Sequence, residues 1–232
     1  MFAIIAESRA SDVPQTVEVR SGTLTLRALL WRPPGKGPFP AILLNHGSGR
    51  SREESQRLGP YEQQANILGP VFARHGYVFL YVFRRGVGLS ANQGINAVDA
   101  MNSEFAAHGQ DDRNTLQLRL LENEEMSDAL SGLAFLRALP EVDARDVATI
   151  GHSFGGSLTL LLAEREPNLR AVVIFSGAGY SGSALRLCER GSSMLSRMSL
   201  LQSSSSMLPT TSHSQPAKRW THGWSSLASH TA

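Results

Sequence analysis

A chain of 232 residues, 41% hydrophobic and 18% charged, suits one soluble globular domain with a sizeable core. Its single cysteine, Cys188, excludes an internal disulfide and a cysteine-based zinc cluster, and is compatible with a cytoplasmic location. The net charge of +2 is unevenly placed: residues 181–232 carry +4, leaving −2 for residues 1–180. No basic and aromatic interleaving runs through the body, so a nucleic-acid partner is not expected. No run approaches the ~18 apolar residues of a membrane span, and the apolar start at Met1–Ala6 is too short for a signal-peptide core.

Thr16–Val19 and Leu24–Trp31 flank Ser21-Gly22 and read as an antiparallel hairpin opening a sheet. Pro33 to Pro38 is a turn-rich connector. Phe39–Asn45 is a buried strand ending in the glycine-bearing loop His46-Gly47-Ser48-Gly49, and residues 50–60 read as polar loop. Tyr61–His75 reads as a helix with a break or kink at Gly69-Pro70, closed by Gly76. Tyr77–Phe83 is apolar throughout, as a strand covered on both faces should be.

Residues 91–110 carry no clear pattern. Asp111–Leu139 has helical spacing and stops at Pro140, with Glu122 to Glu125 read as a solvated face. Val147–Ile150 is a strand, Leu158 to about Arg165 a helix, and Ala171–Phe175 a final strand. Alternating strands and helices, with strands apolar throughout, argue for an α/β fold: a mostly parallel sheet with helices on both faces.

Between the strand at 147–150 and the helix that follows stands Gly151-His152-Ser153-Phe154-Gly155-Gly156. Gly-x-Ser-x-Gly between a strand and a helix places a serine on a sharp turn with its hydroxyl exposed. The positions two before and two after approach each other there, so glycine is needed at both. The N–H of Phe154, at the helix start, then faces the place where negative charge would develop on a substrate.

Three motifs, His46-Gly47-Ser48-Gly49, Arg85-Gly86-Val87-Gly88-Leu89-Ser90 and Gly151–Gly156, occur in this order and spacing. Residues 15–180 thereby resemble the α/β-hydrolase superfamily, in its dienelactone-hydrolase-like and prolyl-oligopeptidase-like branch. The resemblance implies a serine hydrolase of small-molecule esters, and secondarily amides, working through an acyl-enzyme on Ser153. It implies that Ser48 supplies a second oxyanion-hole N–H beside that of Phe154, and that His46 is structural. His152 reads as a packing residue. Arg84 and Arg85 read as a loop held by arginine hydrogen bonds, with an acidic-substrate site as the alternative. Where the family loop often begins with an acidic residue, this chain has Phe83. No metal is expected from His75, His108 or the acids at 122–128. No cofactor is expected either: there is no Walker loop, and Gly86-Val87-Gly88 lacks the third glycine of a dinucleotide fingerprint.

A serine hydrolase of this type needs an acid and then a histidine after the serine. After Asp146 the acids are Glu164, Glu166 and Glu189, and the histidines beyond the serine are His213, His222 and His230, none preceded by a strand-like run. Residues 181–232 are a serine-rich, basic tail in which the strand–helix rhythm stops, read as poorly ordered. The expectation is a sheet incomplete at its C-terminal edge, with the reading frame lost near Tyr180. The other two frames of the coding DNA test this: strand-like runs with an Asp and then a His would support it, and their absence would end it. The classes left open are an impaired serine hydrolase, an inactive truncated or frameshifted product, and a small-molecule binding module.

Overall fold

The computed structural model describes residues 12–48 and 62–175. The reading of residues 181–232 as a disordered tail, and that of the loop at 50–60, lie outside the described residues.

Six strands form one sheet: β1 (Gln15–Ser21), β2 (Leu24–Trp31), β3 (Phe39–Asn45), β4 (Val78–Val82), β5 (Val142–His152) and β6 (Val172–Phe175). Their spatial order is β1-β2-β4-β3-β5-β6. β1 and β2 are the expected antiparallel hairpin, and β2 also meets β4 antiparallel. β4, β3, β5 and β6 are parallel neighbours. Among the described residues β6 is the outer strand, with Phe175 54% exposed.

β4 is apolar and buried at every position, and β3 is apolar up to Asn45, because both faces are covered. Leu26, Ala28 and Leu30 of β2, Ala41 and Leu43 of β3, and Val78, Leu80 and Val82 of β4 join one core cluster. The alternate residues Leu29, Trp31, Ile42, Leu44, Phe79 and Tyr81 join the other. The two-residue period of a strand sorts one sequence into two cores.

One face is covered by α1 (Gln63–Arg74). Of the break or kink expected at Gly69-Pro70, the break does not occur: the helix continues through both residues. A methyl at Gly69 would overlap the Trp31 indole, so the glycine lets the helix lie on the tryptophan. Phe72 stacks on Phe79 with ring centroids 5.3 Å apart. This packing outweighs the one helical hydrogen bond that Pro70 cannot donate.

The opposite face takes α2 (Ala97–His108), α3 (Gln110–Glu122), α4 (Glu124–Ala138) and α5 (Phe154–Arg165). α2 occupies most of the stretch without clear pattern, and starts where the Asn96 side chain accepts from the N–H groups of Val98 and Asp99. The single helix expected over 111–139 is two, divided at Asn123. No helix among the described residues is long and apolar enough to cross a membrane.

Candidate active site

Ser153 sits between the end of β5 and the first residue of α5, with φ 53° and ψ −119°. It is the sole non-glycine residue at positive φ among those described. Such a conformation costs of order 1–3 kcal/mol and persists only where the surroundings enforce it. Here they do. The Ser153 N–H donates to Phe175 O at 2.9 Å, tying the turn to β6. The Ser153 carbonyl accepts from the N–H groups of Gly156 and Ser157, starting the helix.

The flanking glycines are required by contact. A methyl at Gly151 would overlap Gly155 O and Thr159 Oγ1, and one at Gly155 would overlap the Asn45 and His46 carbonyl oxygens. The turn is therefore pressed onto the end of β3. Asn45, buried there, donates to Thr149 Oγ1 at 3.1 Å and to Thr159 Oγ1 at 2.8 Å, joining β3, β5 and α5.

The loop after β3 lies over the serine. A methyl at Gly47 would stand 3.6 Å from Ser153 Cβ and 3.4 Å from His152 Nδ1. The structure thus brings together the backbone before Ser48, the half-buried Ser153 and the buried Phe154 at the start of α5.

His46 is buried beneath this loop. Its Nδ1 bonds Gly47 O at 2.6 Å, and its Nε2 faces the Arg84 N–H at 3.3 Å. These partners fit the neutral tautomer with the proton on Nδ1. Burial first, and the Arg84 charge second, hold its pKa well below the ordinary histidine range. His46 is thus committed to backbone on both sides. His75 caps the C-terminus of α1, and His108 pairs with Glu104 on an exposed face of α2.

Arg84 and Arg85 are engaged by α4. Arg84 Nε pairs with Glu125, both side chains being 3% exposed. Arg85 reaches Asp128 through its backbone N–H, Nε and Nη2 at 2.9, 3.0 and 2.7 Å, and Asp128 accepts from Ser21 Oγ at 2.7 Å. Both arginines hold the loop after β4 to α4. The solvated face expected over Glu122 to Glu125 is corrected here: Glu125 is buried, because Arg84 supplies its counter-charge. Burial pushes the Glu125 carboxyl above its ordinary range, with Arg84 working against the rise.

The acids that follow the serine within the described residues are remote. Glu164 is ten residues beyond Phe154 on α5, about 15 Å along the axis, and is exposed. Glu166 pairs with Arg137 at 2.7 Å. His213, His222, His230 and Glu189 lie outside the described residues. No cluster of three metal-binding side chains occurs among the described residues.

The family model of X-Pro dipeptidyl-peptidase (S15 family) matches residues 22–229. The chain belongs to this family. The match covers β2, all three motifs and the serine-rich stretch from 181 to 229, and begins after β1. Among curated proteins, this S15-family chain is 26% identical over 167 residues to the peroxisomal succinyl-coenzyme A thioesterase of Mus musculus, covering 72% of the chain and 30% of that protein. The chain thus spans about a third of the relative's length. Among solved structures, acylaminoacyl peptidase of Pyrococcus horikoshii is similar with TM-score 0.47 and 22% identity, over 75% of this chain and 24% of that one. A dienelactone hydrolase-like promiscuous phosphotriesterase from metagenomic libraries is similar with TM-score 0.46 and 20% identity, over 73% and 60%.

Proposed function

We propose that this S15-family chain carries the nucleophile and oxyanion hole of a serine hydrolase, with Ser153 attacking the carbonyl of a small ester or, secondarily, an amide. The observation that carries the reading is the positive-φ turn at Ser153, held against Gly47 in the loop after β3. A serine placed at such cost points to its hydroxyl. In the proposed reaction Ser153 Oγ bonds to the carbonyl carbon, and the carbonyl oxygen takes the charge and accepts from the N–H groups of Ser48 and Phe154. Two donors suit an oxygen bearing a full charge, and each is worth about 2.7–4 kcal/mol in such sites. Collapse expels the alcohol or amine. Water then cleaves the acyl-enzyme, releases the acid and restores the hydroxyl.

The serine proton must pass to a base. His46 is held by Gly47 and Arg84, and the imidazoles that follow the serine in the chain are His213, His222 and His230. The position of Glu164 and the pairing of Glu166 with Arg137 favour a second reading, an α/β-hydrolase chain with weakened or absent turnover. Hydrolysis of short p-nitrophenyl esters separates the two. The first reading expects a rate above the Ser153→Ala control; equal rates favour the second.

A further inference from the structure

Resting on that reading of Ser48 and Phe154, we propose that Arg84 is the positioning residue of the oxyanion hole, setting both amide donors at once with Glu125 as its anchor. Arg84 follows β4, two strands from the elbow in the sheet order, yet it touches every piece that presents a donor. Its Nη2 donates to His46 O at 2.8 Å, fixing the peptide unit between His46 and Gly47. Its backbone N–H faces His46 Nε2 at 3.3 Å, and His46 Nδ1 holds Gly47 O at 2.6 Å. Gly47 O shares a planar peptide with Ser48 N–H. In a trans peptide the two point in opposite directions, so anchoring the carbonyl aims the amide.

The second donor is reached from the same guanidinium. Arg84 Cζ stands 5.6 Å from the centroid of the Phe154 ring, a cation–π distance, and Phe154 carries the other N–H. The His46 carbonyl that Arg84 holds is also one that a side chain at Gly155 would strike, so loop and helix start are in contact at that atom. One planar cation therefore sets the distance between two donors that come from different elements.

Glu125 makes this rigid. It takes Arg84 Nε from within α4 and leaves the guanidinium edge aimed at His46. One turn on, Asp128 holds Arg85 and Ser21, so α4 is fixed to the same loop at a second point. Lysine could not replace Arg84, because a single ammonium cannot meet Glu125, His46 O and a ring face in one geometry.

The test combines fluorophosphonate labelling of the full chain with amide NMR, on Arg84→Met, Arg84→Ala and Glu125→Gln. In Arg84→Met the labelling rate of Ser153 is expected to fall at least tenfold, and the Ser48 and Phe154 amide signals to move together while that of Val17 in β1 stays. Millimolar guanidinium is expected to restore part of the rate in Arg84→Ala and to return the Ser48 and Phe154 signals toward their parent positions. If the arginine variants fail to fold, Glu125→Gln carries the test, with the same two signals displaced and a severalfold slower rate. Unmoved Ser48 and Phe154 signals, or unchanged labelling in variants of an active parent, would overturn the proposal. Moved signals in a parent that takes no label would support the positioning role and count against the nucleophile reading alone.

Discussion

Asn45 and Thr159, 114 residues apart, are joined by a buried hydrogen bond of 2.8 Å that fixes the end of β3 to α5. The same amide also donates to Thr149, so one side chain closes the space beneath the elbow. Asn45→Leu leaves two threonine hydroxyls, both fully buried, without this partner. The expected cost is about 1–3 kcal/mol. Urea unfolding measures it, and a loss below ~0.5 kcal/mol would mean the elbow is held by its backbone alone.

Gly155→Ala is expected to be more damaging than Asn45→Leu, because its new methyl meets backbone oxygens of Asn45 and His46 that cannot rotate away. A destabilisation above about 3 kcal/mol, or failure to accumulate as folded protein, is predicted.

Ser153 itself is predicted to be a source of instability. Ser153→Gly should be more stable than Ser153→Ala by about 1 kcal/mol, since glycine adopts positive φ without a Cβ penalty while alanine does not. Equal midpoints in thermal unfolding of the two variants would contradict the assignment of strain to this residue.

His46 gives the pH dependence a sign. Its folded pKa is lowered by burial and by Arg84, so the folded state prefers the neutral ring. Its contribution is fully present above the unfolded value near 6.5 and is lost as pH falls toward the folded pKa, with a slope of up to about 1.4 kcal/mol per pH unit. Glu125 acts in the opposite sense, because its raised pKa makes stability fall as pH rises above 4.5 through the folded value. The clean observable is the difference between parent and His46→Gln. The parent's advantage is predicted to shrink as pH drops from 6.5 to 5, and a constant difference would contradict the buried neutral histidine.

What the sequence disclosed, and what it did not, divides along a physical line. β3, β4 and the Val147–Ile150 part of β5 were legible because each is a local apolar run, and the serine turn because two glycines and a strand-to-helix change fall within a few residues; the charged start of β5, Val142–Asp146, was not. The start of α2 was hidden because its signal is one Asn96 cap over a weakly patterned stretch. The division at Asn123 was hidden because helical spacing continues on both sides of it. Glu125 misled for a different reason. A run of acids reads as solvated unless its partner is known, and the partner, Arg84, lies 41 residues earlier on another element.

The central claim, that Ser153 is the reactive group, is tested most directly by mapping a fluorophosphonate label by mass spectrometry. Cleavage after Arg145 and Arg165 yields one peptide, residues 146–165, that holds Ser153 together with Thr149, Ser157 and Thr159. Phosphonylation is expected within this peptide, localised by fragmentation to Ser153 and absent from Ser153→Ala. A folded sample that takes no label, or takes it on another residue and keeps it in Ser153→Ala, would contradict it.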